Sequence, residues 1–266
     1  MKFQRPARVL ILIALIALAG FSFGYNKPSA QQRYCDLALV LAIDSSSSVD
    51  DREYALQMRG IASALVSEEV LEAILSLGGM YISAFEWNGK SSQKLIFDWT
   101  FLGSPGDVRA LAGRLTVHER NSTTLPTAVG AALGYGYRLI ANIPQPCARQ
   151  VIDVSGDGPN NDGIKPLDIY TLYNFSNIIV NGLVIKDLYD NPESFYRDPE
   201  GYYRKNVIRG GGAFLVLAEG FDDFARAMKQ KLLKEIIPGP IGQLLDSPNL
   251  VRSAGPDFHT VQSISQ

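Results

Sequence analysis

Short apolar runs alternate along this chain with segments whose apolar residues recur at helical spacing. Residues 37–43 are apolar throughout and end at Asp44, as expected of a parallel strand that helices cover on both faces. Similar runs occur at residues 150–154, 178–185 and 213–217. Because these runs alternate with helical segments, the pattern predicts an α/β fold with a doubly wound, mostly parallel sheet and helices on both faces.

A hairpin and a set of helices complete the predicted fold. Residues 80–87 and 94–101 are β-rich and are separated by a short polar turn, which indicates antiparallel pairing and brings the sheet to about six strands. Ser48 and Asp50 supply capping side chains for the helix after the first strand. Helices are predicted from there to about residue 65, and at residues 68–77, 105–115, 128–140, 166–175 and 221–236. The fourth of these six helices is rich in small residues and should pack closely on the sheet.

The first 24 residues differ from the rest of the chain. Lys2, Arg5 and Arg8 precede an uncharged apolar run at residues 9–24, which is the pattern of an export signal. The run is shorter than the roughly 20 residues of a spanning helix, so a cleaved signal peptide is predicted, with an uncleaved membrane anchor as the alternative. The protein is therefore predicted to be periplasmic or secreted, or else anchored on the outer side of the inner membrane.

The remaining chain reads as one domain with two polar extensions. Residues 25–35 form a linker, residues 36–237 the α/β domain, and residues 238–266 a loose tail rich in Pro, Gly and Ser. The 25 basic and 27 acidic residues give a net charge of −2. Binding to a phosphate backbone needs a basic surface, so nucleic acid is not expected as a partner.

Two polar clusters come directly after predicted strands. Asp44, Ser46 and Ser48 come after the first strand, and Asp157 comes after the strand at residues 150–154. In an open α/β sheet, ligands bind at the carboxyl ends of the strands. Hard cations take oxygen ligands, commonly one or two carboxylates for Mg²⁺. These residues therefore predict a Mg²⁺ site, with Mn²⁺ or Ca²⁺ as alternative ions.

The order of these residues resembles the metal-ion-dependent adhesion site of von Willebrand factor type A domains, the fold of integrin I domains. The D-x-S-x-S motif of that family is matched by Asp44, Ser46 and Ser48, the T-x-x-G-x-A-L segment by Thr127 to Leu133, and the last aspartate by Asp157. The similarity covers about residues 36–236. It implies that Asp44, Ser46, Ser48, Thr127 and Asp157 bind the cation and that an Asp or Glu of a protein partner completes its coordination.

Three short segments resemble, more narrowly, an uncharacterised exported bacterial branch of that fold, a domain of unknown function. They are residues 153–158 with Asn160 and Asn161, the pair Glu86 and Trp87, and residues 220–224. This resemblance implies the fold and the site but no particular activity.

The segment before Thr127 leaves undecided which threonine binds the cation. Residues 121–126 are mostly polar, where members of the family usually carry a glycine-rich approach. Thr127 is preferred because the helix pattern after it fits the family's segment, and Thr123 and Thr124 stay as alternatives.

The chain has two cysteines, Cys35 and Cys147, without the paired spacing of a zinc site. Cys35 lies nine residues before Asp44, and Cys147 lies ten before Asp157. In a von Willebrand factor A fold the two strands should be parallel neighbours, so the setbacks place both sulfur atoms at the opposite edge of the sheet. A disulfide is therefore predicted in an oxidising compartment, and two buried thiols are the alternative.

Residues 187–204 lie between two predicted strands and form a loop long enough to suggest a function. The loop is rich in aromatic residues, namely Tyr189, Phe195, Tyr196, Tyr202 and Tyr203. Because tyrosines are favoured at interfaces, the four tyrosines are predicted to contact a partner. A self-packed cover over the sheet edge is the alternative.

Together these features predict an exported, cation-dependent protein-binding module rather than an enzyme. A metal-assisted phosphohydrolase is one alternative, because carboxylates at strand ends also suit that chemistry. However, such enzymes usually need a second aspartate where Ser46 stands, the two histidines His118 and His259 are not near the cluster, and no nucleophile elbow is present. A structural or assembly factor with a vestigial site is the remaining alternative.

Overall fold

A computed structural model describes residues 35–121, 125–186 and 198–237, which contain the predicted six-stranded sheet. The strands are β1 (Leu37–Asp44), β2 (Met80–Trp87), β3 (Gln93–Leu102), β4 (Arg149–Gly156), β5 (Ile178–Lys186) and β6 (Leu215–Glu219). Their spatial order is β3-β2-β1-β4-β5-β6. All neighbouring strands are parallel except β2 and β3, which form the predicted antiparallel pair.

Seven α-helices accompany these strands in the described residues, six between strands and one after the last strand. They are α1 (Asp51–Val66), α2 (Glu68–Ser76), α3 (Pro105–Thr116), α4 (Val129–Ala141), α5 (Pro166–Leu172), α6 (Pro199–Asn206) and α7 (Phe224–Ile236). Within the three described ranges, no helix has the length and apolar character needed to cross a membrane. The predicted signal segment, the linker up to residue 34 and the predicted tail lie outside the described residues.

Alternate side chains of β1 point to opposite faces of the sheet, as strand geometry requires. Its larger residues, Leu37 to Ile43 at every second position, belong to the core with α1, α2, α3 and α7, whereas Ala38, Val40 and Ala42 belong to the core with α4 and α5. The small residues of α4 permit close packing, as predicted. A Cβ added at Gly136 would lie 3.1 Å from the side chain of Ile152 on β4.

Helix α1 begins with a capping box that the sequence contains in full. The Asp50 carboxylate accepts from the Glu53 amide at 2.7 Å, and the Glu53 carboxylate accepts from the Asp50 amide at 2.8 Å. Ser48 was predicted to share this capping role, and that prediction is wrong. Asp50 alone occupies the N-cap position, and the Ser48 hydroxyl instead bonds to the loop after β4.

The second half of the chain differs from the prediction in three places. Helix α5 stops at Leu172 because Tyr173 is extended, and β6 begins at Leu215, after a turn in which Gly210 and Gly212 take positive φ. The segment predicted as a loop contains α6, whose first turn is set by Pro199 and by the Asp198 side chain.

The predicted disulfide between Cys35 and Cys147 is present, with the Cα atoms 4.5 Å apart. The parallel register pairs Leu37 with Arg149, so the two cysteines stand opposite each other just before their strands. The Ala148 amide donates to the Cys35 carbonyl at 2.9 Å. The covalent bond therefore joins β1 and β4 at the end of the sheet opposite to Asp44.

A buried ionic cluster joins α7 to the sheet. Lys231 Nζ lies 2.9 Å from Asp153 Oδ1 and 2.6 Å from Glu235 Oε1, and all three side chains are at most 1% exposed. Asn181 on β5 donates to Glu235 Oε1 at 3.0 Å. Burial raises the pKa of Asp153 to about 7, with Lys231 acting in the opposite direction. Asp153 thus pairs with Lys231 inside the fold.

Candidate metal centre

The two predicted ligand clusters meet at one edge of the sheet. Strand β1 ends at Asp44, and β4 ends at Gly156, directly before Asp157. Because β1 and β4 are parallel neighbours, the loops that leave their carboxyl ends lie side by side. The strand pairing therefore sets the distance between the two clusters.

Hydrogen bonds connect four of the five predicted ligands. Asp44 Oδ1 accepts from the Ser46 amide at 2.7 Å, which curls the loop after β1. The Ser46 and Ser48 hydroxyl oxygens are 3.1 Å apart, and the Ser48 hydroxyl donates to Asp157 Oδ1 at 2.9 Å. The result is one cluster of hydroxyl and carboxylate oxygens that spans both loops.

Asp44 is fully buried, in surroundings that disfavour a negative charge. Burial, assisted by the charge of Asp157, raises the pKa of Asp44 to about 8, although the amides of Ser46 and Asp157 oppose the rise. Asp44 Oδ2 has no hydrogen-bond partner among the described residues. A buried carboxylate oxygen without a donor is destabilising, and a cation bound beside it would remove that penalty.

Thr127 is fixed at the same edge through its backbone. Its amide donates to Asn161 Oδ1 at 2.8 Å, and its carbonyl accepts from the amides of Asn161 and Asp162 at 2.8 and 3.1 Å. Asn160 Oδ1 accepts from the Gly130 amide at the start of α4. The residues after Asp157 therefore tie the Thr127 segment to the loop after β4.

Several predicted residues lie outside the part of the chain that the structure describes: Thr123, Thr124, Tyr189, Phe195 and Tyr196. The choice of Thr127 over the two other threonines, and the partner contacts of Tyr189 and Tyr196, therefore stay predictions.

The two described tyrosines of the aromatic segment are placed differently from each other. Tyr202 on α6 is partly buried, and Tyr203 is completely buried. We predicted that both contact a partner, and for Tyr203 this is incorrect because its ring packs in the core beneath the site. Burial, followed by the charges of Asp44 and Asp157, raises the pKa of Tyr203 well above its ordinary value. Its hydroxyl therefore stays protonated and is available as a donor.

Arg120 supports the loop after β1, and no feature of the sequence pointed to it. One terminal nitrogen donates to the carbonyl oxygens of both Ser45 and Ser46 at 2.7 Å. The Arg120 side chain is 5% exposed, and its other terminal nitrogen lies 3.5 Å from the Asp51 carboxylate. Because charged hydrogen bonds are stronger than neutral ones, Arg120 holds the loop in its curled form.

A second buried carboxylate, that of Glu86, is hydrogen-bonded to neighbouring residues on both of its oxygen atoms. It accepts from the Tyr54 hydroxyl at 2.7 Å and from the Asn121 amide at 3.1 Å. His118 Nε2 lies 3.7 Å from Glu86 Oε2. His118 therefore belongs to this cluster and not to the one around Asp44, as its sequence position suggested, whereas His259 lies outside the described residues.

The donor atoms of the site suit a hard divalent cation. Two carboxylates and two hydroxyls converge, which is an oxygen-only set of the kind that Mg²⁺ binds together with water. No group of three or more His, Cys, Asp or Glu side chains in the described ranges is arranged to hold a metal. Any cation here would therefore depend on the serine hydroxyls as well as on Asp44 and Asp157.

Solved structures share this fold at low sequence identity. Proximal thread matrix protein 1 from the mussel byssus is 14% identical over 76% of this chain and 47% of its own, with a TM-score of 0.52. A von Willebrand factor type A protein from Catenulispora acidiphila is 12% identical over 76% of this chain and 43% of its own, with a TM-score of 0.50. The pilus adhesin SpaC from Lactobacillus rhamnosus GG is 14% identical over 77% and 32%, with a TM-score of 0.53.

These comparisons establish the von Willebrand factor A fold, although the chain spans about half or less of the length of those proteins. No curated protein sequence matches it. One family profile, described as "Protein of unknown function (DUF1194)", matches residues 34–239. That match includes the whole sheet and both ligand loops, so this chain belongs to the DUF1194 family, on a von Willebrand factor A fold.

Proposed function

We propose that this protein is an exported, divalent-cation-dependent protein-binding module. Asp44, Ser46, Ser48, Thr127 and Asp157 would hold a Mg²⁺-like ion, with Mn²⁺ or Ca²⁺ as alternatives. The ion would supply an open coordination position, and a carboxylate from an Asp or Glu of the partner would fill it.

The observation that supports this proposal best is the Ser46–Ser48–Asp157 line of oxygen atoms, with separations of 3.1 and 2.9 Å, beside the buried Asp44. The site has only two carboxylates, so their negative charge does not exceed the positive charge of a divalent ion. The ion would therefore keep an affinity for an external anion. Because Asp44 Oδ2 has no donor among the described residues, the site gains from a cation in a way that an ordinary helix-capping loop does not.

Two further observations support an interaction role outside the cytoplasm. The disulfide between Cys35 and Cys147 is of a kind that persists in oxidising compartments. The similar solved structures include a thread matrix protein and a pilus adhesin, which agrees with binding rather than catalysis. The tyrosine-bearing segment, with Tyr202 partly exposed and Tyr189 and Tyr196 beyond the described residues, would shape the surface around the ion.

Affinity capture tests the proposal. Wild-type protein and the Asp44→Asn variant are immobilised and exposed to extracellular extract from the producing organism, in Mg²⁺ and in a chelator. We expect a protein that is retained by the wild type in Mg²⁺, released by the chelator and not bound by the variant. Equal recovery from all arms would rule out a cation-dependent contact.

A free carboxylate tests the chemistry directly. Glutamate-containing and glutamine-containing peptides of otherwise identical sequence are compared for elution of the captured protein. Elution by the glutamate peptide alone would support direct coordination by the partner's carboxylate, and equal elution by both would contradict it.

A further inference from the structure

Three buried polar atoms beneath the metal centre lack hydrogen-bond partners among the described residues. They are Asp44 Oδ2, the Tyr203 hydroxyl and Trp87 Nε1. Each of the three side chains is essentially inaccessible to solvent. The first atom is an acceptor and the other two are donors, so the three are chemically complementary.

These groups converge over Gly156, the last residue of β4. A Cβ added to Gly156 would lie 2.3 Å from the Tyr203 hydroxyl oxygen, 2.9 Å from Asp44 Oδ2 and 3.5 Å from Trp87 Cζ2. Only glycine fits at this position without displacing Tyr203 or Asp44. The Tyr203 hydroxyl and Asp44 Oδ2 therefore lie next to the same point above Gly156, without a hydrogen bond between them in the structure.

A second glycine admits the ring of the same tyrosine. A Cβ added to Gly182 on β5 would lie 3.2 Å from Tyr203 Cδ1. Gly156 ends β4 and pairs with Val184, two positions after Gly182 at the middle of β5, so the two glycines lie close together on neighbouring strands. Together they leave the space in which Tyr203 reaches the site.

Helix α6 holds Tyr203 in that space. Its N-terminus is capped by Asp198, which accepts from the Gly201 amide at 2.7 Å, and Glu200 pairs with Arg204 at 2.8 Å. Glu200 also lies 3.7 Å from Lys186 at the end of β5. Tyr203 is the buried residue of this helix, and its ring packs in the core beneath the site.

We propose that Tyr203 is a positioning residue of the metal centre. In the cation-bound protein its hydroxyl, which has no hydrogen-bond partner among the described residues, would donate to the Oδ2 side of the ionised Asp44 carboxylate and hold that carboxylate in the orientation that binds the cation. This inference rests on the cation site proposed above. It would also give α6 a function, because this helix carries Tyr203. Groups of this kind fix the orientation of metal-binding carboxylates, and their loss typically lowers metal affinity by about 10- to 100-fold.

Comparison of Tyr203→Phe with Tyr81→Phe tests this role in the full chain. Binding of Mn²⁺ is followed by the electron paramagnetic resonance signal of the free ion, and unfolding by denaturant is measured separately in a chelator. For Tyr203→Phe we expect Mn²⁺ affinity to fall by about tenfold or more. We expect unchanged or higher stability without metal, because the variant removes a hydroxyl that lacks a partner there. The control Tyr81→Phe changes a partly buried tyrosine on β2 that pairs with Ala38 at the opposite end of the sheet, and it should change neither quantity.

The outcomes separate the two proposals. If the wild type itself does not bind Mn²⁺ or Mg²⁺, the proposed function is wrong. If the wild type binds and Tyr203→Phe binds within about twofold of it, a difference far smaller than the expected one, only the role of Tyr203 is wrong. A Tyr203→Phe protein that is destabilised or unfolded in chelator also overturns that role, because the hydroxyl would then be a structural group.

Discussion

The Ser48 hydroxyl donates a 2.9 Å hydrogen bond to Asp157 Oδ1, across 109 positions of sequence. This contact connects the loop after β1 with the loop after β4. It depends on the parallel pairing of the two strands and on the curl that Asp44 and Ser46 impose on the first loop. The same two oxygens would be shared with a bound cation, so metal binding and loop structure should be linked.

Changing either carboxylate should abolish stabilisation by metal. With Mg²⁺ at about 100 times its dissociation constant, the wild type should gain about 2.7 kcal/mol in free energy of unfolding. Asp44→Asn and Asp157→Asn should gain almost nothing, because an amide is neutral. Thermal unfolding in Mg²⁺ and in chelator measures this. Asp98→Asn, an exposed change on β3, is the control and should respond like the wild type.

Metal affinity should rise with pH. The pKa of Asp44 is raised to about 8 without metal, and a cation binds the ionised carboxylate. Below pH 8 the cation must displace a proton, so affinity should increase up to about tenfold per pH unit and level off above pH 8. Calorimetric titration with Mg²⁺ between pH 6 and 9, in buffers of different ionisation enthalpy, would also count the released proton. A Mg²⁺ affinity that does not change between pH 6 and 9 would contradict the raised pKa of Asp44.

Loss of the Arg120 side chain should destabilise the fold. Arg120→Met removes two 2.7 Å hydrogen bonds to the carbonyls of Ser45 and Ser46. Hydrogen bonds to charged groups contribute about 1.5–3 kcal/mol, so we expect a loss of about 2 kcal/mol in denaturant unfolding. Arg109→Met changes an exposed residue of the same type on α3 and should stay within about 0.5 kcal/mol of the wild type.

Reduction of the disulfide should lower stability without impairing the site. The bond joins residues 112 positions apart, and closing a loop of this length contributes about 2–5 kcal/mol. It lies at the opposite end of β1 and β4 from Asp44. Unfolding and Mg²⁺ affinity should therefore be measured for the Cys35→Ser/Cys147→Ser protein. We expect a large loss of stability and an unchanged affinity; a parallel loss of affinity would show that the crosslink also shapes the site.

The buried cluster around Lys231 should produce a pH-dependent stability difference. The pKa of Asp153 is about 7 in the folded protein, against 3.8 ordinarily, so the folded state binds the proton more tightly. Between about pH 4 and pH 7 this contribution to stability is lost as the pH rises. Asp153→Asn cannot lose it, so the stability of the variant relative to the wild type should increase from pH 4 to pH 8. A constant difference in denaturant unfolding across this range would contradict the raised pKa.

The sequence predicted those features that depend on local pattern or on strand order. Apolar runs located β1 and β4, and the near-equal distances from each cysteine to its aspartate anticipated the disulfide. The cap of α1 was predicted only in part, because Asp50 was named together with Ser48, whereas Glu53, which completes the capping box, was not identified.

Other features could not be predicted because they depend on tertiary contacts. Helix α6 has eight residues and buries mainly Tyr203, so it has no apolar periodicity to detect. Arg120 reaches carbonyl groups 74 and 75 positions away. Lys231 and Asp153 are charged residues of a kind usually found at the surface, and only their mutual pairing explains their burial.

The Cys35–Cys147 bond closes a ring of backbone that contains four of the five predicted ligands, all except Asp157. A protease that cuts this ring once, for example at the exposed Asn121, opens it without releasing a fragment. The nicked protein would remain a single covalent molecule with every ligand attached. The crosslink would therefore keep all five predicted ligands in one molecule after a cleavage that would otherwise split the chain in two.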